Sequence, residues 1–244
     1  MNSINWARIL AQTVYYFLSY FHFRAQLPSD SGVQVQYVVP TGNFGDVLAG
    51  YYAKKMGLPI GKLAVATNSN DILARFWKTG KYEKVDSTVD VGGGRVNDGN
   101  QATDASGVKE TLSPAMDILV SSNFERLLWY LAYENSLGST EEDRMKAACT
   151  TLDLWMGQVK SNGRVEVPVS VLQTARKDFV AERISDQQVS FRLNRHPFYI
   201  KMLKPYVLQT LETIKLYFED KNSYVSDPHT AVGLAAARII SAQK

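Results

Sequence analysis

Hydrophobic positions recur at helical spacing from the start of the chain. Trp6, Ile9, Leu10, Val14, Phe17, Leu18 and Phe21 fall on one broad face, with Ser3 ahead of them as a cap. The pattern predicts a buried helix, left through a loop over 27–32 that holds one proline and two serines. A β-branched run over 33–39 then predicts a strand, and residues 47–56 a helix stopped by Gly57 and Pro59. Residues 62–67 read as a second strand, and 71–79 as a helix stopped by Gly80. Strand, helix, strand, helix with short connections predicts an α/β fold: a parallel sheet covered on both faces. Further on, Ser122-Asn123-Phe124-Glu125 has the form of a capping box before an apolar helix over 127–133. Val171, Leu172, Ala175, Phe179 and Val180 space as a surface helix. Helices are also expected over about 141–159, 198–219 and 230–242.

The turn Thr41-Gly42-Asn43-Phe44-Gly45-Asp46 joins the first strand to its helix. A strand, a glycine-containing turn and a helix start form the place where backbone N–H groups and the helix dipole hold a phosphate. Gly42 is expected to adopt a backbone conformation closed to other residues, and Gly45 to let the main chain approach the anion. A carboxylate repels phosphate, so Asp46 is read as capping the helix or gripping loop N–H groups. A bare Gly-x-x-Gly also occurs in tight turns that bind nothing. Ligands of open parallel sheets bind beyond the carboxyl ends of the strands, where this turn would lie.

Composition narrows the function classes. The chain has 244 residues, 45% of them hydrophobic, and a formal charge of +3 with no block of like charges, so neither nucleic acid nor an anionic membrane surface is implied. The apolar stretch over 6–23 is interrupted by Arg8, Gln12, Ser19 and His22, which argues against a membrane or signal segment. The single cysteine, Cys149, excludes an internal disulfide and fits a reducing compartment such as the cytoplasm; its helical position reads as core. No Cys/His cluster has metal-ligand spacing, and no Ser/His/Asp set stands in a nucleophile context. The segment 90–110, with Gly92-Gly93-Gly94 and few apolar side chains, lacks the lysine and helix start of a nucleotide loop and reads as a surface insertion, placed at about 85–110.

Six blocks carry a resemblance. They are Asn2-Ser3-Ile4-Asn5-Trp6-Ala7-Arg8, the turn at 40–46, Ala66-Thr67-Asn68-Ser69-Asn70-Asp71-Ile72-Leu73, Leu112-Ser113-Pro114-Ala115-Met116-Asp117-Ile118, Ser121-Ser122-Asn123-Phe124-Glu125-Arg126 and Asp227-Pro228-His229-Thr230-Ala231-Val232-Gly233. In that order they resemble the threonine synthases of fungal and bacterial type, from residue 2 to about 240, most weakly over 85–110 and 166–194. The resemblance implies a three-layer, parallel-sheet, fold type II pyridoxal phosphate enzyme that turns O-phosphohomoserine and water into threonine and phosphate.

It also implies that Gly42, Asn43, Phe44, Gly45 and Asp46 bind the cofactor phosphate, with the main-chain N–H groups as principal donors. Asn43 is a possible side-chain donor, and Phe44 either a contact or a packing residue. Thr230 resembles the hydroxyl partner of the pyridine nitrogen; its other reading is the N-cap of the last helix. His229 is read as structural. The runs 2–5 and 68–71 are polar clusters at helix starts that capping explains, and Ser69 stands where the family commonly has an acidic residue. The family carries its Schiff-base lysine in a Phe-Lys-Asp segment that would precede this sequence, so no catalytic residue is assigned. The nearest look-alike, Arg176-Lys177-Asp178-Phe179, reads as a solvated surface. The expectation is a C-terminal portion cut at both ends, inactive alone, with the N-terminal half as its partner. The alternatives are another fold type II enzyme and a non-catalytic relative.

Overall fold

The computed structural model describes residues 6–28, 32–84, 107–184, 210–219 and 224–243. In chain order the elements are α1 (Trp6–Arg24), β1 (Val38–Pro40), α2 (Gly45–Lys55), β2 (Leu63–Thr67), α3 (Ile72–Thr79) and β3 (Lys81–Glu83). A short 3-10 turn (Pro114–Met116) follows, then α4 (Phe124–Asn135), α5 (Glu141–Asn162), β4 (Arg164–Glu166), α6 (Val169–Asp178), β5 (Phe179–Arg183), α7 (Thr210–Glu219) and α8 (Pro228–Ala242). The strands β1, β2 and β5 form a parallel sheet in that order, with Val39 beside Val65 and Val65 beside Ala181. A small antiparallel pair, β3 with β4, stands apart.

The sheet is the middle of three layers. All five residues of β2 are buried, as a parallel strand covered on both faces requires. Val39, Leu63 and Val65 pack into the larger core with helices α1 to α6, whereas Val38 and Ala66 meet Val232, Ala235 and Ala236 of α8 on the other face. That alternation is the period-two geometry of a strand. Two close approaches lock the layers. A Cβ on Gly233 would lie 3.0 Å from the Pro40 ring, and one on Gly50 would lie 2.6 Å from the ring of Tyr16 on α1.

Several expectations hold. Gly80 ends α3 at φ +80° in the left-handed conformation of a helix stop; Gly163, which the sequence reading did not name, ends α5 in the same way at φ +71°. Thr140, likewise not named from the sequence, caps α5 by accepting from the Asp143 N–H at 3.1 Å. Lys177 is exposed on α6. Other expectations need correction, each through a tertiary contact. The run 33–39 is a strand only from Val38, where β2 becomes available as a partner. Phe179 and Val180 leave the helical pattern because they pair with Leu63 and Ala64 as β5. The first helix is not buried all round: Ile9, Thr13 and Tyr16 are, but Trp6 is 56% and Leu18 67% exposed. Cys149 is exposed rather than core, with its Sγ accepting from the Trp129 indole N–H at 3.4 Å.

Among the described residues, no helix is long and apolar enough to cross a membrane and no group of three or more His, Cys, Asp or Glu residues is placed to hold a metal. Residues 2–5, His196, the first half of the helix expected over 198–219, and most of the 85–110 insertion lie outside the described residues.

Candidate functional site

β1 delivers the chain to the turn, where the Thr41 N–H makes one last sheet-like bond to the Ala66 carbonyl at 2.7 Å. The turn is then made by Phe44, which takes the left-handed conformation at φ 60°, ψ 18°. For a bulky residue this conformation is strained by roughly 1–3 kcal/mol. Burial holds it there, since Phe44 is 1% exposed and packs against Trp77, Phe124 and Phe179. Its side chain packs in the core, one of the two roles the sequence left open. The expectation for Gly42 is corrected as well. Its φ is not positive, and glycine is required because a Cβ would lie 3.0 Å from both the Ala115 carbonyl oxygen and Met116 Cα.

Helix α2 begins without a side-chain cap. The first helical bond runs from Leu48 N–H to the Phe44 carbonyl at 3.3 Å, and the N–H groups of Gly45, Asp46 and Val47 ahead of it have no partner among the described residues. The Asp46 carboxyl therefore neither caps the helix nor grips loop N–H groups among the described residues, the two roles the sequence reading offered. The Asp46 backbone carbonyl accepts from the Tyr16 hydroxyl at 2.9 Å instead. Asp46 is itself exposed at the edge of a recess; partial desolvation raises its carboxyl's pKa, an effect partly offset by the nearby Tyr16 hydroxyl. The recess has a volume of about 170 Å³ and is lined by residues 40–47 together with Gln12 and Ala115.

The turn is buttressed from the segment just ahead of α4. Ser121 Oγ donates to the Gly42 carbonyl at 2.9 Å, Ser122 Oγ to Asn43 Oδ1 at 3.1 Å, and Asn123 Nδ2 to the Asn43 carbonyl at 2.9 Å. These side chains serve the turn rather than a capping box, and α4 begins with no side-chain cap. The run 68–71 is corrected likewise. Asp71 makes no capping bond and pairs with Arg75 and Arg183 at 2.8 and 3.4 Å. Buried Asn68 reaches Asp117 Oδ1 at 2.7 Å and Ser113 Oγ at 3.0 Å, while Asn70 accepts from the Lys109 N–H at 2.9 Å. This network pins the segment 109–117, and with it the Ala115 wall of the recess. Its members are far apart in sequence, so no local signal announces it.

Thr230 lies across the 114–116 turn from the recess. Ala115, which touches Gly42 on one side, donates its N–H to His229 Nε2 at 3.2 Å on the other. His229 is structural in this geometry: Nε2 accepts, which assigns the ring proton to Nδ1, 3.2 Å from Asp227 Oδ1. The N-cap of α8 is Asp227, not Thr230, because its carboxylate accepts from the N–H groups of both His229 and Thr230. Thr230 Oγ1 is 2.5 Å from Asp227 Oδ2, to which it donates. That bond first, and the two N–H bonds with it, hold the Asp227 carboxyl down at about 2. A depressed carboxyl stabilises the fold above its unfolded value near 3.9, and this contribution is lost as pH falls through the folded one. The Asp227 carboxyl resonance is therefore expected to titrate near pH 2, with the His229 and Thr230 amides gaining exchange over the same window. A midpoint near 4 contradicts the cap.

No family model matches the sequence. The chain is 47% identical to threonine synthase of Schizosaccharomyces pombe over 235 residues, which are 96% of this chain and 38% of that protein. The crystal structure of threonine synthase from yeast superposes with a TM-score of 0.74 at 46% identity, over 99% of this chain and 39% of the other. Threonine synthase from Brucella melitensis, solved with pyridoxal phosphate bound, gives 0.70 at 34% identity, over 98% and 38%. Over nearly its whole length the chain is thus homologous to the threonine synthases, whose fold type II architecture it shares, and it spans about 38% of the length of the curated relatives it matches.

Proposed function

We propose that this chain provides the phosphate cradle and the ring-nitrogen contact for pyridoxal phosphate in a threonine synthase, which converts O-phospho-L-homoserine and water into L-threonine and phosphate in threonine biosynthesis. The observation that carries the reading is the uncapped start of α2, where three consecutive N–H groups without protein partners open on a recess at the carboxyl end of β1. Such an array, with the positive end of the helix dipole behind it, favours an anion. A group with a phosphate at one end and a basic ring nitrogen at the other suits the pair formed by this turn and Thr230.

When bound, pyridoxal phosphate supplies the electron sink that lets phosphate leave the γ carbon and water add at the β carbon of the substrate. The residues of this chain then have separate tasks. Gly45, Asp46 and Val47 hold the phosphate through N–H groups, Gly42 lets the 114–116 turn close against them, and Phe44 fixes the turn from the core. Thr230 meets the ring nitrogen. Its hydroxyl hydrogen already points to Asp227, so its oxygen is presented to the ring as an acceptor, which favours a protonated nitrogen. Among the described residues lining the recess there is no lysine, and the proton-carrying lysine is assigned to the remaining length of the enzyme. One exposed cysteine fits a cytoplasmic setting.

In the assembled enzyme, Thr230→Ala is expected to leave cofactor affinity within about fivefold, since one hydrogen bond of about 1 kcal/mol is lost. The absorbance maximum of the bound cofactor should shift and turnover should fall. An unchanged spectrum and rate contradict the assignment of Thr230.

A further inference from the structure

Besides Ala115, the recess at the start of α2 has one wall that the turn does not provide. Gln12 is the single residue of α1 that lines it. Its position is fixed by the helix pair, because one turn later on the same face Tyr16 donates to the Asp46 carbonyl and lies against Gly50 too closely for any side chain there.

The Gln12 side chain is otherwise unexplained. Its Oε1 is buried, with less than 1 Å² exposed, and has no hydrogen-bond partner. No side-chain hydrogen bond of Gln12 to any described residue supports that placement. A buried amide oxygen left unbonded is unfavourable, and interior polar groups are normally paired. The amide oxygen and nitrogen are exchanged by a half-turn about the last bond, so which of the two is turned to the recess is an assignment made on chemistry.

The chemistry of the recess selects the nitrogen. None of the described residues lining it is cationic, and Asp46 brings a carboxylate, so an anion there is held by neutral N–H donors alone. An amide oxygen facing a phosphate would repel it, whereas an amide NH2 adds a charge-assisted hydrogen bond without adding charge.

We propose that Gln12 is a further phosphate ligand of this site, donating from Nε2 to an anion held by the first turn of α2. The proposal rests on the reading of the 41–47 turn as the phosphate site. It makes α1 part of the binding machinery rather than a covering helix.

The test uses inorganic phosphate as the probe and the full 244-residue chain. Equilibrium dialysis is expected to show saturable binding, weakened about tenfold by Gln12→Met, which keeps length and volume but removes the donor. Gln12→Glu, of the same shape but charged, should weaken it further. Circular dichroism without phosphate checks that both variants keep the fold. In the unmodified, 15N-labelled chain the Gln12 side-chain NH2 resonances should move on saturation with phosphate, a readout that needs no variant. Unmoved NH2 resonances, or unmodified affinity in Gln12→Met, overturn the role of Gln12 while leaving the turn as the phosphate site. Absence of any saturable phosphate binding by the unmodified chain overturns the reading of the turn, and the proposal falls with it.

Discussion

The 244-residue chain by itself, given O-phospho-L-homoserine and pyridoxal phosphate, is expected to release no threonine. The chain spans 38% of the length of the relatives it matches, and the recess beside α2 has no lysine in its described lining. Lys177, the one lysine in a sequence context like that of the family, is exposed on α6, well placed for solvent and not for the turn. Without a positioned amine there is no covalent hold on the cofactor and no proton carrier at the reacting carbons. A polypeptide carrying the rest of a threonine synthase, added as a separate chain, is expected to restore turnover. The surface offered to it includes one side of α1, where Trp6, Val14, Leu18 and Phe21 are all more than half exposed. Amino-acid analysis of the reaction mixture decides the matter: steady threonine formation by the lone chain contradicts the account, as does failure of every such combination to bind the cofactor.

How much of this was legible beforehand follows from where each determinant lies. The helix stop at Gly80 was readable because a left-handed residue acts within one turn. The parallel sheet was readable because β1, β2 and their helices alternate with short links. Cys149, Ser122 and Phe179 were misread because partners distant in sequence decide their surroundings: Trp129 beside the first, Asn43 beside the second and β2 beside the third. In the site, the turn was found from its glycines, yet the residue in the unusual conformation is Phe44, and only its aromatic neighbours in the folded core explain that. Asp227 was passed over as a cap because Thr230 drew the reading, although Asp before Pro at a helix start is itself a cap signal. Gln12 had no local signal at all, since its relevance depends on the crossing of α1 over α2.

The second large effect is expected at Gly42. A valine there would place its Cβ 3.0 Å from the Ala115 oxygen and Met116 Cα, and both are backbone atoms that move only with the whole segment pinned by Asn68 and Asn70. The turn would have to give instead, moving the N–H groups of Gly45, Asp46 and Val47 out of line with the anion. Losing two or three charge-assisted hydrogen bonds weakens binding on the order of a hundredfold or more. Equilibrium dialysis of pyridoxal phosphate in the assembled enzyme measures this, and circular dichroism separates it from loss of the fold. Equal affinity in Gly42→Val and unmodified enzyme would remove the physical reason for glycine at the phosphate site.

The most direct test follows the donors themselves. In 15N-labelled protein titrated with pyridoxal phosphate, the backbone amide resonances of Gly45, Asp46 and Val47 are predicted to shift furthest, downfield, and to saturate together. Saturation of the cofactor with those three amides unmoved and the largest shifts elsewhere would contradict the assignment of this turn.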